Sequence, residues 1–190
     1  MSRRETVLLA EAVRYMLGRA ASVGRRELAA STPCPGWNLD ALLRHLAESI
    51  EILDTAITGT PPPARPDCAV TCPGTCAGTT DPVELLRDRA AGLLWTAFTA
   101  EDRTGCAVPV IAVGAIEITV HGWDVSAACA SPAPIPPQLA APLLAHSFRL
   151  VPARDGLFGP PVPVPSRASP GDRLLAWLGR DPATSYRRVA

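Results

Sequence analysis

Residues 110–130 read VIAVGAIEITVHGWDVSAACA, and the class of fold turns on them. Ile116, Ile118, Thr119 and Val120 are β-branched, and local propensity leans towards strand. Yet the stretch runs for about twenty residues without proline and carries charge only at Glu117 and Asp124. Strands usually end after about five or six residues, so a mostly buried helix is the better fit. On that helix Glu117 and His121, four apart, project from one face one turn separated, and Asp124 three further on shares it. Gly122 and Trp123 point elsewhere.

Working outward, the flanking sequence is helical with clear punctuation. Thr6 to Leu28 repeats apolar residues every three to four positions through Val7, Leu8, Ala12, Tyr15, Met16 and Val23, which predicts a first helix. The run Ser31-Thr32-Pro33-Cys34-Pro35-Gly36 must break it. A second helix is expected from an Asn38 N-cap, with Asp40 in the first turn, and ends at Gly59 before three prolines. Leu39, Leu42, Leu43, Leu46, Ile50, Leu53 and Ile57 form its apolar stripe.

Residues 60–80 form a long loop rich in Pro, Gly, Thr and Cys. Asp81, Pro82 and Glu84 open a third helix that extends to about Ala100. Residues 103–109 read as a connector. Pro136-Pro137 start a fifth helix reaching Leu150, and Gly159 to Pro165 reads as extended polyproline-like chain. Ser169 caps a last short helix that begins with Pro170. The expected fold is all-α, a helical bundle in a single domain spanning residues 1–190.

Composition narrows the function. The 190 residues carry 18 basic and 18 acidic side chains, so there is no bulk attraction to nucleic acid or to a membrane surface. Every basic residue is Arg and none is Lys, which excludes a lysine Schiff base and a P-loop lysine. No secretory signal and no run of 18 apolar residues is read, so a cytoplasmic protein with no membrane partner is expected. Cys68, Cys72 and Cys76 recur at four-residue spacing, but Pro73 and Gly74 between the last two argue for a loop, and a zinc knuckle would want C-x2-C and a fourth ligand. No nucleophile elbow, P-loop or dinucleotide fingerprint is present.

The chemistry therefore rests on three histidines, His45, His121 and His146. His45 lies near the apolar seam of the second helix. If that helix faces the Glu117–His121 helix, a His2Glu set converges, the ligand chemistry of a catalytic zinc with an open fourth position. Glu–His pairs at this spacing are also common as plain surface pairs. His146 has no acidic neighbour at ligand spacing and reads as structural.

Three blocks carry a resemblance. Thr32-Pro33-Cys34-Pro35-Gly36-Trp37 followed by Leu42-Leu43-Arg44-His45-Leu46, the block Glu117-Ile118-Thr119-Val120-His121-Gly122-Trp123-Asp124, and a tail with Leu178-Gly179-Arg180-Asp181-Pro182 together resemble the mycothiol-dependent maleylpyruvate isomerase N-terminal domain. That domain belongs to the DinB-like four-helix bundles, and the tail is similar to a single-domain actinobacterial metal-binding subgroup. The resemblance implies a four-helix bundle with a long loop after helix 2 and an additional C-terminal helix. It also implies a divalent metal on His45, Glu117 and His121, with Zn2+ the first choice and Ni2+, Fe2+ or Mn2+ the others. Asp124 would either support a metal ligand from behind or act as an acid/base group, and Trp37 and Trp123 would fix the ligand-bearing segments by packing. A low-molecular-weight thiol such as mycothiol would be held as thiolate to attack a small electrophilic substrate, in S-transfer or isomerisation. The two-domain isomerases carry a further C-terminal domain for which this sequence has no room, so maleylpyruvate isomerisation itself is not expected.

Two other readings use the same ligands. One is a metal-dependent hydrolase or cyclase acting through bound water, with Asp124 or Glu48, one turn after His45, taking a proton. The other is a non-catalytic metal-binding bundle. Pairing of exposed helix faces into a homodimer is left open by the sequence.

Overall fold

The computed structural model describes residues 3–59, 81–99, 107–131, 133–151 and 158–183. Six α-helices occur among them: α1 (Arg3–Ala20), α2 (Leu39–Thr58), α3 (Pro82–Thr99), α4 (Ala107–Ala128), α5 (Pro137–Leu150) and α6 (Pro170–Trp177). No β-strand occurs among the described residues; one isolated bridge pairs Ser31 with Asn38.

The boundaries follow local chemistry. Asn38 caps α2 through its side chain, which accepts from the Ala41 amide, and Gly59 ends the helix in a left-handed conformation. The Asp81 carboxylate accepts from the Val83 amide at the start of α3. Ser169 caps α6 by accepting from the Asp172 amide. The first helix is shorter than its apolar rhythm predicts: it stops at Ala20, and Glu27–Ala29 form a separate 3-10 turn. The Gly24 amide donates to the Glu27 carboxylate, a local bond that favours the turn over continued helix. The fourth helix begins earlier than expected, at Ala107, because Pro109 falls in its first turn where a missing N–H costs nothing. The Cys68/Cys72/Cys76 loop lies outside the described residues.

Helices α1 to α4 close a ring in which α1 packs on α4, α4 on α2, α2 on α3 and α3 back on α1. α5 leans on α4, and α6 on α5. The core is aliphatic, with Leu9, Met16, Leu42, Leu46, Ile111 and Ile116 among its fully buried members. α4 is the central rod. Its Pro109–Ala128 stretch is long and apolar enough to cross a bilayer, although Glu117 and Asp124 interrupt it. Of its most apolar 18-residue window 72% is buried inside the bundle, which marks it as a core helix.

The α1–α4 contact is close at one point. A Cβ added to Gly122 would lie 3.0 Å from the Met16 Cα and 3.3 Å from the Tyr15 ring. Gly122 therefore sets how near the His121-bearing turn can sit to α1. Gly122→Ala is expected to lower stability by about 1 kcal/mol, because overpacking of about 1–3 kcal/mol outweighs the helix-propensity gain of about 1 kcal/mol. Gly92 in α3 is exposed, with nothing within 4 Å of an added Cβ, so Gly92→Ala should instead raise stability by up to about 1 kcal/mol. Urea titration of both variants against the parent checks the opposite signs.

Candidate metal centre

α2 and α4 bring two distant stretches together. The His45 Nε2 atom lies 3.2 Å from the Glu117 Oε1 atom. The rings of His45 and His121 stand edge-to-face with centroids 5.3 Å apart. Ligand atoms of His45, Glu117 and His121 all lie within 4.8 Å of one another. A second group, Cys34, His121 and Asp124, meets the same limit and shares His121 with the first.

The surroundings hold these groups in place. The Ser49 hydroxyl donates to Glu117 Oε1 at 2.7 Å. Burial pushes the Glu117 carboxyl up, but hydrogen bonds from His45 and Ser49 and the nearby His121 win and hold it at about 2. The Trp37 ring stands edge-on to His45 at 4.5 Å and stacks 6.5 Å from His121. Trp123 is buried in the core. Trp37 thus packs against both imidazoles, while Trp123 packs into the core from α4, and both line the adjoining cavity.

Beneath His121 sits a fully buried carboxylate. Asp124 Oδ2 meets His121 Nδ1 at 2.9 Å, Arg180 Nη2 at 3.2 Å and the Cys34 sulfur at 3.4 Å. Burial raises its carboxyl, yet the His121 hydrogen bond and the Arg180 charge more than reverse this and keep it ionised. An ionised Asp124 accepts a hydrogen bond from His121 Nδ1–H, which leaves Nε2 as the lone-pair atom facing away from it.

Each partner reaches Asp124 by its own local device. Cys34 lies in the turn after α1, where the Thr32 hydroxyl accepts from the Cys34 amide at 3.1 Å and contacts the Trp37 carbonyl at 2.9 Å. Arg180 follows Gly179, whose φ of 80° and tight approach to the Gly159 backbone, 2.8 Å from an added Cβ, suit only glycine. The Arg180 guanidinium also donates to the Leu178 carbonyl and lies 5.9 Å from the Phe158 ring centroid. These groups open onto a cavity of about 900 Å3 whose lining includes Cys34, Trp37, His45, Glu117, His121 and Arg180.

One candidate stands elsewhere than the sequence suggested. Glu48 is solvent-exposed and is not in the cavity lining; Ser49 takes the place beside His45 and Glu117. At 3.6 residues per turn, the positions three and four after His45 fall on either side of it, and Glu117 lies on the side of the fourth. His146, on α5, does not line the cavity. Cys34, Ser49 and Arg180 were not singled out from sequence. Ser49 stands four residues after a candidate ligand, whereas Cys34 and Arg180 fall within blocks that carry the resemblance but received no role there.

A family model described as the mycothiol maleylpyruvate isomerase N-terminal domain matches residues 9–126. The chain belongs to that family. Two relatives from Mycobacterium tuberculosis, the uncharacterized proteins Rv0738 of strain H37Rv and MT0763 of strain CDC 1551, are each 28% identical over 165 residues. That covers 84% of this chain and 88% of each relative. No solved structure matches. Arg180 and the strap that delivers it lie beyond the family match.

The thiol of Cys34 is pushed up to about 12, first by burial and then by the Asp124 charge, with Arg180 opposing. In chelator-treated protein its alkylation by iodoacetamide at pH 7 should run roughly three orders of magnitude slower than that of an ordinary thiol. Asp124→Asn is expected to speed it, and Arg180→Met to slow it further. Peptide-resolved mass spectrometry reads both, and equal rates in all three proteins would remove Asp124 as a cause.

Proposed function

We propose that the protein is a divalent-metal-dependent enzyme, with zinc the natural ion, that uses a low-molecular-weight thiol such as mycothiol in S-transfer to, or isomerisation of, a small electrophile. The observation that carries this reading is the convergence of His45, Glu117 and His121 at the cavity wall. Donors about 2.1 Å from one tetrahedral ion stand about 3.4 Å apart, and the 3.2 Å between His45 and Glu117 matches that edge. Two imidazoles and a carboxylate are the donor set of catalytic zinc sites. Among the described residues no further side-chain ligand atom meets the same 4.8 Å limit with all three, so a fourth position is left to a substrate.

The other donor group suits a cation less well. Arg180 already places positive charge 3.2 Å from Asp124 and 3.7 Å from the Cys34 sulfur. Asp124 then serves to orient His121, and with its carboxylate held below the usual range it carries no proton at neutral pH.

A divalent ion on the three ligands would lower the pKa of an incoming thiol, so that its anion exists at neutral pH. Without an ion, the chain's own cavity thiol, Cys34, is held protonated by burial and the Asp124 charge. Arg180 already sits 3.7 Å from its sulfur, so the open position is better suited to an external thiol. A cavity of about 900 Å3 falls in the range that holds a small-molecule ligand and leaves room for a second reactant. Reduced small thiols are maintained in the cytoplasm, where we place the protein.

Metal analysis of zinc-reloaded protein should find about one ion per chain, and His121→Ala or Glu117→Gln should reduce this to background. Asp124→Asn is expected to weaken zinc affinity by about 10–100-fold. Consumption of a panel of carbon electrophiles should require added thiol. Turnover of equal rate without thiol would transfer the chain to hydrolase or cyclase chemistry.

A further inference from the structure

Beside the first cavity lies a second hollow of about 500 Å3 between α2 and α4. Val113 and Glu117 line both, so the two meet at the carboxylate of the donor set. The walls of the hollow are Ile52, Leu53 and Ala56 from α2 and Pro109, Val110 and Gly114 from α4, all without a polar side-chain atom. Its polar lining residues, Ser49 and Glu117, are hydrogen-bonded to each other at the end that meets the first cavity.

The hollow therefore has one polar end, and that end is shared with the candidate metal centre. Its apolar walls face water: Ile52 is 65% exposed, Val113 42% and Val110 38%. Single exposed aliphatic residues are ordinary, but these three line one depression continuous with a polar site. A charged or strongly polar group placed among them would lose hydration with no partner to replace it. An alkyl group would gain.

We propose that this hollow receives the alkyl tail of the electrophile, whose reactive end lies against Glu117 in the first cavity. The substrate class is then a medium-chain aliphatic electrophile with a single polar end, rather than a compact molecule charged at both ends. Residues 49 to 56 span about 10 Å at a rise of 1.5 Å per residue, room for a chain of roughly eight carbons. The substrate assignment rests on the reading of the first cavity as a metal centre; the affinity of the hollow for an alkyl chain does not.

The test has two arms. In the first, metal-free full-length protein is titrated with n-alkanols from ethanol to octanol and followed by NMR. Affinity should rise about 3–4-fold per added methylene. Ala56→Phe, which fills the hollow, should abolish that length dependence. Ile52→Asp, at an exposed position that tolerates a polar residue, should cut octanol affinity at least tenfold. A length-independent series, or one untouched by both variants, overturns the proposal. So does a stable dimer whose dissociation is needed before octanol binds, since a second copy would then occupy the hollow.

In the second arm, zinc-loaded protein is titrated with alkyl hydroxamates from acetyl to octanoyl, whose heads chelate the ion. The same gain per methylene is expected, which would make hollow and donor set one site. Tight acetohydroxamate binding with no gain from length overturns the tail assignment and leaves the metal reading standing. Length-dependent alkanol binding without any acetohydroxamate binding overturns the metal reading, and the substrate assignment with it.

Discussion

A carboxylate removed from water has to be matched, and Asp124 is fully buried. Its Oδ2 atom gathers an imidazole, a guanidinium and a thiol within 3.4 Å. Those three groups come from α4 itself, from the residues just after α6 and from the turn before α2. Taking one charged partner from such a buried pair costs about 3–5 kcal/mol, so this contact ties the chain after α6 to the bundle. It also decides which nitrogen of His121 is free.

The rest of the site is arranged around that imidazole. α2 presents His45 and Ser49 to Glu117, and Trp37 braces both histidine rings. The candidate donor set is held by helices, whereas Cys34 and Arg180 sit in connections fixed by local hydrogen bonds, the Cys34 amide donating to the Thr32 hydroxyl and the Arg180 amide to the Leu175 carbonyl. α4 carries two anionic side chains in an otherwise apolar helix. Each is compensated, Glu117 by His45 and Ser49 and Asp124 by His121 and Arg180. This compensation is what allows a core helix to hold two ionised carboxylates.

Membership of the family of mycothiol maleylpyruvate isomerase N-terminal domains covers the bundle and the ligand-bearing segments, residues 9–126. The cavity draws on more of the chain. Phe158, Gly159, Gly179 and Arg180 lie outside the matched region and still line it. The cavity wall therefore joins the family-matched bundle to chain outside the match.

The all-helical fold and its caps were legible from local chemistry: Asn38, Gly59, Asp81 and Ser169 act within four residues of themselves. So was the pairing of Glu117 with His121, because helical geometry fixes side chains four apart. The early end of α1 at Ala20 was hidden, since apolar rhythm continues through a turn that a single Gly24–Glu27 bond selects. Placing Ser49 rather than Glu48 at the site required the direction in which α2 faces α4. Arg180 required the folded chain, because it meets Cys34 across 146 residues of sequence. Spacing along a helix is written in the sequence; which faces meet, and what a buried charge finds as its partner, is settled only when the whole core packs.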